Sequence, residues 1–353
     1  MLLEVIKKEI GCGNTEVRRY FLVTQSPFML KTDSIAAIYY MESEDSIDEF
    51  ILPEFNLKIT NNADSYADIL NDKDFQSIVG LNEFNFLSCN KLVLLNRFQY
   101  DITFKEFQPF FNLEKILILS EMYCQTLWLV KDNAVQFELA HLIYENEGLK
   151  TVHSNFWNSS YSLSTGVREA KQFTKEEILK TKELFQLVLI NNFNSNKKIN
   201  DNVLLTSTVS RLNRAFYFLR AARTTREIGT KVSLYCSVLE SLFSVSTTEL
   251  KHRLSETVAF FLSQDFEIRK SIYKIIQNAY DIRSSVIHGD GIQSKFLKED
   301  AKILKEIAIG TDDVLRKCFL KILESEELYQ LFTEKSKAEI SEYFQNQIFQ
   351  NCA

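Results

Sequence analysis

All three prolines of this chain, Pro27, Pro53 and Pro109, lie in its first third. Proline lacks the amide hydrogen that a helix interior or an inner strand uses, and its ring clashes with the preceding turn. Beyond Pro109, therefore, nothing in the backbone chemistry forbids long helices. Before it, short β-rich runs alternate with polar, turn-like patches. Arg19 to Thr24, Ile38 to Met41, Phe50 to Leu52, Lys91 to Leu95 and Thr126 to Val130 read as strands. Residues 63–75 and 105–122 read as helical. Residues 1–160 are thus expected to form an α+β domain.

The segment Asn155 to Gly166 is rich in Asn, Ser and Tyr and marks the expected boundary. Beyond it the apolar spacing takes the helical period, so residues 161–353 are expected to be an all-α bundle with a helical C-terminal extension. Thr174 followed by Glu177 has the composition of a capping box that opens a helix running to about residue 190. After a polar connection over 191–202, helices are predicted over 203–223, 227–244, 249–263 and 265–282, with more near 296–321 and 325–349. In the helix over 265–282, Ile268, Ile272, Ile275, Ile276 and Ala279 share one face.

Charge divides along the same line. Residues 1–160 carry 13 basic and 23 acidic residues, while 161–353 carry 28 and 24. Any nucleic-acid surface is therefore expected in the second half. No apolar run is long enough to span a bilayer, and the first residues lack the apolar block of a secretion signal, so a cytoplasmic protein without membrane contact is expected. Cys12, Cys89, Cys124, Cys236, Cys318 and Cys352 are scattered with no CxxC pair, which fits free thiols better than disulfides or zinc. HExxH, GxGxxG, Walker and GxSxG patterns are all missing, so the sequence predicts no metal or other cofactor.

Chemistry concentrates in Tyr280 through Gly289, where Arg283 precedes His288 by five residues. An arginine that holds phosphate charge and a histidine that moves protons can together break an RNA phosphodiester without a metal. On an undistorted helix the two would lie about 140° and about 7.5 Å apart, so meeting at one phosphate requires the helix to end between them or a second subunit to contribute. Gly289 and Gly291 are candidate stop signals.

Three stretches, in this order and spacing, resemble the Apea-like group of the HEPN superfamily. They are Leu239-Glu240-Ser241-Leu242-Phe243-Ser244, Glu249-Leu250-Lys251-His252-Arg253-Leu254, and Tyr280 through Gly289. The resemblance covers roughly residues 200–320. It implies a HEPN-type helical bundle that homodimerises, with an Arg-x4–6-His motif from each subunit forming one ribonuclease site. The implied activity is metal-independent endoribonuclease cleavage leaving a 2′,3′-cyclic phosphate, in anti-phage defence or as a toxin. Other members are non-catalytic modules that bind RNA, a nucleotide or a protein. Residues 1–160 would then sense a trigger or bind a regulatory protein.

Each residue also has a plainer role. Arg283, on the buried side of its helix, would hold the scissile phosphate or pair with a core carboxylate such as Glu240. His288 would be the general base or acid, or would bond free carbonyls at a helix end. Ser284 would donate to phosphate or cap a broken helix. Asp290 would orient the imidazole or repel an RNA backbone. Glu240 is expected to support the site through Arg283 or Arg253. Arg211 and Arg214 face one way on their helix and Arg220 and Arg223 nearly the opposite way, so one pair lines an RNA groove or all are solvated.

Overall fold

The computed structural model describes residues 4–8, 19–23, 28–53, 56–88, 92–102, 109–146, 149–156, 160–194, 205–206, 209–245 and 250–350. They fall into two compact units, one within 1–37, 48–120 and 137–157, the other within 38–47, 121–136 and 158–353.

The first unit is built on antiparallel pairing. Strands β1 (Glu4–Lys8) and β2 (Arg19–Val23) form a two-stranded sheet. β3 (Phe28–Tyr39) runs on into the second unit, where β4 (Met41–Glu42) lies. β5 (Asp48–Leu52) and β6 (Leu57–Thr60) are followed by three short helices, α1 (Ala67–Leu70), α2 (Lys73–Val79) and α3 (Leu81–Ser88), and by β7 (Val93–Ile102). Helix α4 (Pro109–Val130) then leads to β8 (Gln136–Asn146) and β9 (Leu149–Phe156). The six-stranded sheet has the order β5-β6-β7-β3-β8-β9. Both of its faces are buried: Ile35 and Val93 lie on one, and Leu57, Ile59 and Leu94 on the other.

His141 on β8 is buried against the edge of Phe75, with Nδ1 2.7 Å from Ser154 Oγ and 4.0 Å from Glu83 Oε2. Burial pushes this imidazole down to about 4, so it stays neutral in the folded unit.

The second unit is mostly helical. β10 (Lys171–Gln172) pairs with β4 in parallel. Then come α5 (Lys175–Asn194), α6 (Arg211–Thr224), α7 (Ile228–Phe243), α8 (Leu250–Leu262), α9 (Phe266–His288), α10 (Ser294–Leu323), α11 (Glu326–Glu334) and α12 (Lys337–Gln350). The capping box forms: Thr174 N–H donates to Glu177 Oε2 at 3.0 Å, and Glu177 N–H donates to Thr174 Oγ1 at 3.3 Å. α6 starts at 211 rather than 203 because Ser210 caps it, accepting from Asn213 N–H at 3.2 Å. α10 is two helical runs joined at Lys298–Ala301, where Glu299, Asp300 and Ala301 have positive φ. Among the described residues no helix is long and apolar enough to cross a membrane.

Two expectations are corrected. Thr126 to Val130 is not a strand but the last turns of α4. The run is apolar on every face because Tyr123, Cys124, Leu127, Trp128 and Leu129 are all buried, so it has no amphipathic signature to separate it from an inner strand. Nor is there a single cut at residue 160, because 38–47 and 121–136 belong to the helical unit. Tyr123 reaches Thr181 Oγ1 at 3.0 Å, and Trp128 meets Phe319 edge-on.

α7 runs through the middle of this unit, packed on α6, α9 and α10. Tyr235 on α7 and Trp128 on α4 both donate to Asp312 Oδ1 on α10 at 2.9 Å, and Arg316 donates to Asp312 Oδ2 at 2.8 Å. Burial pushes the Asp312 carboxyl up, against the pull of Arg316 and the two donors. Phe243, Phe261, Phe332 and Phe344 form an aromatic cluster that joins α7 and α8 to α11 and α12.

Asp312→Ala leaves three donors unmatched and is expected to cost about 3–5 kcal/mol, whereas Asp312→Asn keeps an acceptor and costs less. Urea unfolding followed by tryptophan fluorescence ranks the two. For His141, an unfolded imidazole takes its proton as pH falls through 6.5, and the folded one only near 4. Its contribution is therefore intact above pH 6.5 and declines by about 3 kcal/mol on the way to pH 4. His141→Gln is expected to flatten the acid limb of the urea midpoint measured against pH.

Candidate functional site

The Arg283–His288 segment ends α9. Asp265 opens this helix by accepting from Ile268 N–H at 2.9 Å, and Ile272, Ile276, Ala279, Tyr280 and Ile282 form its buried stripe. The helix does not break between Arg283 and His288. It continues to His288 and stops at Gly289, whose φ is +77°. Gly289 N–H donates to Val286 O at 3.3 Å and Asp290 N–H to Ser285 O at 3.0 Å, the paired bonds of a Schellman cap. The glycines act as the stop signal, but after the histidine, so the two side chains diverge around an intact helix.

Arg283 is 29% exposed and pairs with Glu240, its Nη2 3.5 Å from Oε1. Its guanidinium also lies 5.7 Å from the centre of the Tyr280 ring, and Tyr280 Oη donates to the same Glu240 oxygen. Burial, and next the Glu240 bond, push the Tyr280 phenol up, so it remains a donor. Burial does the same to the Cys236 thiol, with Glu240 adding to it. Glu240 thus has Arg283 as its cation and Tyr280 as its donor. Arg253 lies on the exposed side of α8, and Glu249 falls outside the described residues.

His288 is exposed as the last helical residue. Ser284 is exposed beside Arg283. With the helix intact there, Ser284 has no broken end to cap. The backbone of Asp290 completes the Schellman cap while its side chain is exposed.

The four arginines of α6 separate by role. Arg223 is 1% exposed, 4.3 Å over the Tyr161 ring, and donates to Cys124 O at 3.0 Å and Asn133 O at 3.3 Å. It is a core residue and not part of a surface for RNA. Arg220 pairs with the buried Glu121 at 2.6 Å, and Glu121 also accepts from Tyr161 Oη. Lys231, in the same basic stretch, is buried with Nζ on Ala222 O at 2.7 Å, and burial pulls it down to about 8.

Arg211 and Arg214 differ. They line a cleft of about 320 Å³ with Phe218, Ser237, Glu240 and Ser241. Glu240 is therefore common to this cleft and to Arg283. Tyr280 and Ser241 stood in the stretches that carry the resemblance but were given no role of their own, and Ser237 was not named. The usable signal was spacing, since Tyr280 lies three residues before Arg283 and Ser237 and Ser241 lie one turn apart beside Glu240.

The hydrophobic residues of the α7 end, Leu239, Leu242 and Phe243, are all core. Replacing Gly289 by Ala meets no neighbour but forces a side chain into a left-handed backbone. Gly289→Ala is expected to lower stability by about 1 kcal/mol and to fray the turn that carries His288, read as faster amide exchange over 285–290. The chain matches no family model, no curated protein and no solved structure.

Proposed function

We propose that the helical unit is a metal-independent endoribonuclease of HEPN type, active as a homodimer, in which Arg283 and His288 act on a phosphate shared between two copies. The observation that carries this reading is that both side chains remain accessible at one end of α9, with Arg283 reaching Glu240 on the wall of an arginine-lined cleft. The unbroken helix separates them within one chain, so the reading requires the second copy.

His288 takes the proton of a ribose 2′-hydroxyl, and the 2′-oxygen attacks the adjacent phosphorus. Arg283 holds the non-bridging oxygens as charge builds on them, helped by the Ser284 hydroxyl. The P–O5′ bond breaks and a proton goes to the leaving 5′-oxygen, leaving 2′,3′-cyclic phosphate and 5′-hydroxyl ends. Residues 1–160 fit a sensing or restraining role, and the biological setting of this reading is defence against phage or toxicity.

A second reading is favoured by the Arg283–Glu240 pair. A guanidinium already matched to a carboxylate and a tyrosine ring has a structural task, which suits a non-catalytic module that binds RNA, a nucleotide or a protein.

Purified protein mixed with an RNA pool distinguishes the two. The nuclease reading expects cleavage that survives EDTA, with His288→Ala about 10²–10⁴-fold slower and Arg283→Ala about 10²–10³-fold slower. Cyclic phosphate ends are read by mass spectrometry. Cleavage unchanged in His288→Ala, or abolished by EDTA, would falsify the mechanism, and no cleavage at all leaves the binding module.

A further inference from the structure

The cleft between α6 and the C-terminal end of α7 holds two cations that pair with no carboxylate among the described residues. Arg211 and Arg214 are three residues apart on one face of α6. Arg211 Nη1 donates to Leu242 O and Ser244 O, both at 3.0 Å, and Arg214 Nη1 donates to Thr206 O at 3.2 Å and to Val209 O. These bonds fix both guanidinium planes through one nitrogen each. Among the described residues, neither Arg211 nor Arg214 forms an ion pair, and neither uses its Nε or Nη2 in a hydrogen bond.

The carboxylate on the cleft wall, Glu240, is already engaged by Arg283 and by Tyr280. Burial and then the charge of Arg214 both work against the Arg211 cation, and burial works against Arg214. Two half-buried like charges held side by side are stabilised by an anion placed between them. A phosphate suits two planar forks because it offers several oxygens, each able to accept from two donors. Ser237 and Ser241 sit on the wall with their hydroxyls turned back to Ser233 O at 3.3 Å and Ser237 O at 2.8 Å, and each can rotate to donate into the cleft. Phe218 supplies one apolar wall.

We propose that this cleft is a phosphate-binding site in which Arg211 and Arg214 clamp one phosphate group. It rests on no catalytic role for Arg283 or His288. A backbone phosphodiester and a free phosphate present the same oxygens, and two probes separate these sources.

The full chain is titrated calorimetrically with inorganic phosphate and with a short single-stranded 2′-O-methyl RNA, which lacks the attacking hydroxyl and so cannot be cut. At least one probe is expected to bind, and Arg214→Gln to weaken that binding about ten-fold or more, with the salt dependence for RNA falling by about one unit of slope. Competition of inorganic phosphate against RNA assigns the site to a backbone phosphate. Binding of inorganic phosphate alone assigns it to a free anion.

Lys270→Gln removes an equal charge from an exposed pair with Glu267 and is expected to change affinity less than about two-fold. Arg214→Lys keeps the charge but loses the fork and is expected to weaken binding several-fold, and it decides the matter if the Gln variant does not fold. The proposal is overturned if neither probe binds, if Arg214→Gln and Lys270→Gln weaken binding alike, or if Arg214→Lys binds as well as the parent. No cleavage is read, so an inactive nuclease leaves this site standing, and its loss leaves the nuclease reading standing.

Discussion

The arrangement of the helical unit depends on one buried carboxylate. Asp312 has no access to water and would be costly alone, yet it is met by an indole N–H, a phenol O–H and a guanidinium from three places in the sequence. Those partners are the end of α4, the middle of α7 and the next turn of α10. An apolar contact tolerates small rotations of a helix, but three directed bonds to one carboxylate do not. The network therefore fixes the rotation of α7 about its axis. Arg223 and Lys231 extend the same logic, each buried with its charge spent on carbonyl oxygens.

The rotation of α7 determines what the candidate site can be. Glu240 is five residues beyond Tyr235 on the same helix, so holding Tyr235 on Asp312 places Glu240 at the edge of α7, beside α9. From there it meets Arg283 and Tyr280. On its other side α7 presents Ser237 and Ser241 to the arginines of α6. Two cationic features thus share one carboxylate, and that sharing follows from a contact buried elsewhere in the unit.

The sequence revealed those parts of the structure whose signals are local. The capping box at Thr174 and the glycine stop at Gly289 are written in neighbouring residues and form as read, and of the stripe of α9 Ile272, Ile276 and Ala279 are buried while Ile268 is exposed. The end of α4 was misread because burial on all sides erases the helical period, and its Thr-Leu-Trp-Leu-Val ending has strand composition. The interleaving of the two units was invisible because it depends on contacts such as Trp128 with Asp312, remote in sequence. The α6 arginines show the same limit. Helical phase separates Arg211 and Arg214 from Arg220 and Arg223, but only packing shows that Arg223 is buried under Tyr161 while Arg211 and Arg214 line a cleft. The relation of Arg283 to His288 turned on where one helix ends, and a Schellman cap one residue past the histidine is a matter of backbone angles that spacing alone leaves open.

The pair between Arg283 and Glu240 does not by itself decide between catalytic and structural roles, because of Tyr280. For Arg283 to take up a phosphate it must leave Glu240, and an abandoned half-buried carboxylate is expensive. Here the Tyr280 hydroxyl also donates to Glu240, and the phenol is held in its donor form. The Arg283–Glu240 contact is also the weaker of the two, at 3.5 Å and partly open to solvent, where an ion pair contributes at most about 1 kcal/mol. An arginine held loosely by a carboxylate with a second partner is positioned without being locked. If a tyrosine did not hold Glu240, releasing Arg283 would strand a charge. With Tyr280 in place, Glu240 keeps a hydrogen-bond donor, and release of Arg283 costs less.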